Sequence, residues 1–184
     1  ITGSGSETIT LSNAGTFSTD TSIENYVLAN GTNTVHVTGV SGSSSVDITG
    51  GTGNDTVDVG SLAVTGTYAL GSGSNTIDLS DGADISGATV NTAWSGSYDL
   101  ALSTGASVTM SVAQHNGARD ITGSGSETIT LSNAGTFWTD TSIENYVLAN
   151  GSNTVRVGWG GSSDVNITGG TGNDHIVVGW HETP

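Results

Sequence analysis

This chain of 184 residues has no cysteine, no lysine and a single proline. Without cysteine there is no disulfide framework and no thiolate zinc site. Two arginines, Arg119 and Arg156, face 17 acidic residues, giving a formal net charge of −15. A charge of that sign and size argues against a nucleic-acid partner, whose phosphates it would repel. No run of 18 apolar residues occurs, so neither a spanning helix nor membrane insertion is expected. No signal-peptide pattern opens the sequence. Leu, Ile, Val and Phe together number 39, near the level where disorder becomes the default. A compact globule with so few large apolar side chains would not offset the entropy of ordering its backbone.

Glycine is abundant, at 29 residues, and the chain repeats itself. Residues 1–37 recur as 121–157 with three differences, Ser18/Trp138, Thr32/Ser152 and His36/Arg156. The match resumes, one position out of step, as VDITGGTGNDTVDVG (46–60) and VNITGGTGNDHIVVG (165–179). Residues 61–120 have no second copy. The chain therefore reads as one continuous unit, as in a tandem array: copy one (1–60), spacer (61–120), copy two (121–179) and a C-terminal end (180–184).

Short segments carry apolar residues at alternate positions: Ile9/Leu11, Val35/Val37, Val46/Ile48, Val57/Val59, Ile77/Leu79, Leu100/Leu102 and Val108/Met110/Val112. Alternation of this kind means strands with one buried face. No amphipathic helix stands out. Similar turns precede the strands, and the residue before each strand's Thr is Glu7, Asn33, Asp55 or Asn75, spaced 26, 22 and 20 apart. The pattern predicts an all-β fold, a right-handed parallel β-solenoid (a β-roll or β-helix) with roughly 20 residues per coil. Whether the coil has two or three sides stays open. In such a fold small residues make the corners, and each apolar side chain stacks on its counterpart one coil on.

Gly50-Gly51-Thr52-Gly53-Asn54-Asp55-Thr56-Val57-Asp58 and Gly169-Gly170-Thr171-Gly172-Asn173-Asp174-His175-Ile176-Val177 both fit the nonapeptide G-G-x-G-x-D-x-U-x. In this the chain resembles the RTX-type calcium-binding repeat regions of secreted bacterial surface and adhesin-like proteins. The resemblance implies Ca²⁺ held by Gly50, Gly51, Gly53 and Asp55, and by Gly169, Gly170, Gly172 and Asp174. It also implies a secreted or cell-surface location. Hard oxygen ligands suit this ion, and glycines let backbone carbonyls converge beside a carboxylate. Where Asp is expected on flanking turns, Asn33, Asn75 and Asn153 stand instead and offer only a neutral oxygen. The rival reading is a metal-free Asn/Asp ladder that hydrogen-bonds the corners. Calcium would offset the acidic self-repulsion and couple binding to folding.

Copy two also gains aromatics. Trp159 and Trp180 lie 21 residues apart, so they are expected at matching places on adjacent coils, with Trp138 as a further member. With Arg156, His175 and His181 they suggest a strip for an extracellular polysaccharide. The alternatives are an interface with another copy of the chain or a cover for the last coil. Of the histidines, none has paired-ligand spacing, and no nucleophile elbow or P-loop is present. A catalytic role is not expected. Thr8, Thr34, Thr56, Thr76, Thr128 and Thr154 suggest one outward column, but the neighbouring column (Thr10, His36, Asp58, Asp78, Thr130, Arg156) breaks any regular ice-binding surface. The expected role is a non-catalytic extracellular structural or adhesive module.

Overall fold

The computed structural model describes residues 1–39, 45–91, 96–158 and 164–179. Copy one forms β1 (Thr8–Thr10), β2 (Thr16–Ser18), β3 (Asn25–Val27), β4 (Thr34–His36), β5 (Asp47–Thr49) and β6 (Thr56–Gly60). The spacer forms β7 (Ala63–Ala69), β8 (Gly73–Leu79), β9 (Asp84–Asn91), β10 (Gly96–Leu102), β11 (Ser107–Met110) and one short helix, α1 (Val112–Gly117). Copy two forms β12 (Ile121–Thr122), β13 (Thr128–Leu131), β14 (Thr136–Trp138), β15 (Asn145–Val147), β16 (Thr154–Val157), β17 (Asn166–Thr168) and β18 (His175–Val178).

Successive strands alternate between two sides, and all pairing is parallel, so the chain is a two-sided β-solenoid of about 21 residues per turn. One side is a nine-stranded sheet in the order β1-β3-β5-β7-β9-β11-β13-β15-β17. The other is split into β12-β10-β8-β6-β4-β2 and β14-β16-β18. The thin core lies between the sheets and consists of stacked like residues. Val35, Val57, Ile77 and Leu100 follow one another in register on the second side. Tyr26, Ile48 and Tyr68 do so on the first. All seven are buried. One alternating face per strand therefore fills the whole interior, which is how a chain with 39 large apolar residues keeps a core.

Two expectations change. A helix is present where none stood out: Ser111 accepts from Gln114 N (3.2 Å), and the Gln114 side chain accepts from Ser111 N (2.7 Å), a reciprocal N-terminal cap. Val112 thus opens a helix instead of closing a strand. The Thr columns also change. The second side carries Thr16, Thr34, Thr56 and Thr76 in register, followed by Asp99. Thr8 and Thr128 lie on the first side, paired with Asn25 and Asn145. The column expected to hold Thr10 and Thr130 instead reads Ser18, His36, Asp58, Asp78, Ala101 and Thr122.

Candidate functional site

The turn before each second-side strand is where the nonapeptides fall. Asn33, Asp55 and Asn75 point inward here and are almost wholly buried. Each accepts, at Oδ1, a backbone N–H from the turn before. Gly15 N donates to Asn33 (3.3 Å), Asn33 N to Asp55 (3.0 Å) and Asp55 N to Asn75 (2.9 Å). Copy two repeats the chain, with Gly135 N donating to Asn153 and Asn153 N to Asp174, both at 3.3 Å. A strand pairs its backbone along its length, but a corner leaves N–H groups without a ladder partner. The inward amide or carboxylate supplies one.

The glycines of the motif have a steric cause. Gly53 lies at φ +136, and a Cβ there would run into the Gly31 carbonyl of the turn below. Gly172, at φ +132, meets Gly151 in the same way. Gly51 and Gly170 back onto Ala29 and Ala149. A Cβ at Gly50 would run into the Leu70 carbonyl, with Asp55 Oδ2 3.0 Å away, and one at Gly169 would stand 2.8 Å from Asp174 Oδ2. Turns stacked this closely admit hydrogen alone.

The carboxylates and amides are not equivalent. Asn33 Nδ2 donates to Ala29 O (2.9 Å), Gly31 O (3.1 Å) and Asp55 Oδ1 (2.8 Å). Asn153 Nδ2 donates likewise to Ala149 O (2.9 Å) and Asp174 Oδ1 (2.8 Å). Thr34 pairs with Thr56, so Asp55 is the register counterpart of Asn33, and Gly51 and Gly53 are the counterparts of Ala29 and Gly31. Where Asn33 offers an amide proton to its own turn, Asp55 has Oδ2, which is buried and has no hydrogen-bond partner. At the Asp55 corner a carboxylate oxygen therefore lacks a counter-group, in a turn lined by carbonyls; Asp174, at the matching corner of copy two, is only partly buried. That donor set, hard oxygens without protons, has the character a Ca²⁺ ion takes. Among the described residues no three His, Asp or Glu side chains converge, so a cation here would rest on Asp55 or Asp174 and on turn carbonyls.

Glu7 and Glu127 do not share this corner. They precede first-side strands and belong to the opposite edge, where Glu7 N donates to Glu24 Oε2 (2.9 Å) and Glu127 N to Glu144 Oε2 (3.1 Å). Glu127 itself accepts from Gly105 N (2.8 Å), Ser124 N (3.0 Å) and Gly125 N (3.0 Å). Burial works to raise its pKa, but these backbone donors together hold it below the usual carboxylate range. The sequence hint was the interval: 26 residues from Glu7 to Asn33 is too long for one turn, whereas Glu7 to Glu24 is 17.

Of the expected aromatic strip, Trp159, Trp180 and His181 lie outside the described residues. Trp138 is half exposed, at 47%, and pairs in register with Arg156, whose guanidinium carbon lies 5.6 Å from the ring centre. Val177 follows Arg156 in that column, while His175 lies in the neighbouring one beside Thr154. The same column in copy one holds Ser18, His36 and Asp58, with His36 Nδ1 2.8 Å from Asp58 Oδ2. The chain matches no protein-family model, no curated protein and no solved structure.

Proposed function

We propose that this chain is a non-catalytic repeat module of a secreted or surface-displayed bacterial protein, a rod whose nonapeptide corners take Ca²⁺. The observation that carries the reading is Asp55 Oδ2, buried without a partner where the neighbouring turn has an amide donor. Asp55 and Asp174 would hold the ion with carbonyls of their own turns. Asn33, Asn75 and Asn153 serve the same corners as neutral hydrogen-bonding groups. The bound ion supplies positive charge in a chain of net charge −15. Calorimetric titration with Ca²⁺, with circular dichroism before and after a strong chelator, tests the reading. Binding that Asp55→Asn with Asp174→Asn abolishes is the expected result. A fold and heat signal indifferent to Ca²⁺ would leave the corners purely structural.

A second reading, binding of an extracellular polysaccharide, is favoured by the exposed Trp138 ring beside Arg156. An indole face stacks on a sugar ring, and a guanidinium beside it hydrogen-bonds hydroxyls. Retention on an immobilised polysaccharide, lost in Trp138→Ala, is the expected result. Equal retention of the variant would remove this reading.

A further inference from the structure

Residues 8–27 and 128–147 differ at one position, Ser18 against Trp138, and fold into the same three strands. Their surroundings differ. In copy two this surface is covered by the last turn of the spacer. There β11 pairs with β13, setting Val108 beside Ile129 and Met110 beside Leu131. The helix α1 lies against β14. Its His115 ring centre stands 5.1 Å from that of Phe137 and 5.7 Å from that of Tyr146, with Nε2 3.3 Å from the Tyr146 hydroxyl. Val112 N donates to Asn133 Oδ1 (3.0 Å), and Asn116 Nδ2 donates to Thr136 O (2.9 Å). Ile129, Leu131 and Phe137 are buried under this cover, whereas their counterparts Ile9, Leu11 and Phe17 are only partly buried; Tyr146 and Tyr26 are buried in both copies.

In copy one the same surface is open. β1 and β2 are end strands of their sheets, and Ile9, Leu11, Phe17, Tyr26 and Ile1 line a cavity of about 430 Å³. Ile1 is 78% exposed, whereas its counterpart Ile121 is 3% exposed. We propose that the end face of residues 8–27 is a docking seat for a spacer turn of the sequence 105–120, supplied by a further copy of segment 61–120. The seat already has everything that α1 uses in copy two: the Phe17 and Tyr26 rings, the Asn13 side chain and the Thr16 carbonyl. The spacer in turn brings a complementary edge, an apolar ridge and one imidazole. In the chain Asp120 runs directly into Ile121, and Ile1 repeats Ile121, so a spacer placed ahead of Ile1 has the same junction and needs no linker. The seat's chemistry is apolar and hydrogen-bonding, and it does not depend on whether the Asp55 corner takes a cation.

The test adds a second copy of residues 61–120 ahead of Ile1 in the 184-residue chain and follows amide hydrogen exchange. Peptides of the two repeats are told apart by Ser18 and Trp138. Exchange across residues 8–27 is expected to slow by at least about tenfold, toward the rate of 128–147. A 60-residue Gly/Ser extension is expected to leave it fast. Unchanged exchange with the spacer in place, failure of the added spacer to fold there, or equal slowing by the Gly/Ser extension would each overturn the proposal. Protection of 8–27 in the unextended chain that grows with its concentration would assign the face to end-to-end pairing instead, and would overturn it as well.

Discussion

Asn33 and Asp55 stand one turn apart at the same corner and differ by a proton donor. The amide of Asn33 satisfies two carbonyls of its own turn, and the carboxylate of Asp55 satisfies none. Asp55→Asn is therefore expected to raise the unfolding midpoint in chelator by the worth of a buried hydrogen bond, about 1 kcal/mol, while weakening any response to Ca²⁺. A midpoint that falls in chelator would show that the carboxylate has a partner of another kind. At the joint between spacer and copy two, burial holds the His115 imidazole below its ordinary pKa, against the smaller opposing effects of Asn116 and Asp140. The unfolded ring takes its proton near pH 6.5, so the unfolded state binds more protons below that pH and stability is lost as pH falls through it. His115→Gln is expected to flatten the fall in the urea midpoint between pH 7.5 and 5.5, and an unchanged slope would assign the fall to other groups. The substitutions between copies also follow register. Ser18, His36 and Asp58 become Trp138, Arg156 and Val177, so an outward column changes from a His–Asp hydrogen bond to a ring with a cation over it. Only the stacked structure reveals that these scattered differences are neighbours.

At the level of elements, the apolar alternation was legible in most strands and misled at Val112. Val35, Val57, Ile77, Leu100 and Val108 all lie inside strands with their side chains buried, because a thin core leaves no other place for them. Which side each strand joins was not legible. GSGSE (3–7), before β1, and GSGSN (71–75), which runs into β8, are nearly the same sequence but turn opposite edges, since both corners need only small residues and one inward acceptor. The helix had a signal in Ser111 and Gln114, overridden in the reading by Val108, Met110 and Val112 in alternation. Its effect is to break the second side: β12 ends one sheet, β14 begins another, and α1 covers the edge between them. The two phenylalanines measure what that cover contributes. Phe137 is buried under His115, whereas Phe17, in the same sequence, is only partly buried. Phe137→Ala is expected to cost about 3–5 kcal/mol and Phe17→Ala clearly less, as read from denaturant midpoints of the 184-residue chain. Equal losses would mean the cover adds nothing. Gly73→Ala, at φ +113 against the Gly53 carbonyl, is expected to destabilise the corner even though the added methyl is apolar.

The whole molecule is an acidic rod of net charge −15 whose turns stack about 4.8 Å apart. Its self-repulsion is expected to make the unfolding midpoint rise as monovalent salt is increased from about 0.01 to 0.15 M, where the screening length shrinks from roughly 30 to 8 Å. A midpoint insensitive to salt would show that the carboxylates are already neutralised within the fold. The near-identity of the copies has a consequence for assembly. A strand of copy two, such as β15, carries the same sequence as β3, so either can take the other's place beside β5 or β17 without a mismatched side chain. Such trespass would tangle the rod without exposing any telltale apolar surface, because the trespasser fits. The remedy is separation in time. The spacer strands β7 to β10 are seven or eight residues long, the longest of the molecule's described strands, and they have no double elsewhere in the sequence. Pulse-labelled exchange during refolding is expected to protect residues 63–91 and 96–102 first, and earliest protection in 8–36 would contradict this. The unrepeated middle then acts as punctuation, an unambiguous mark from which each identical sentence is read outward in its own direction.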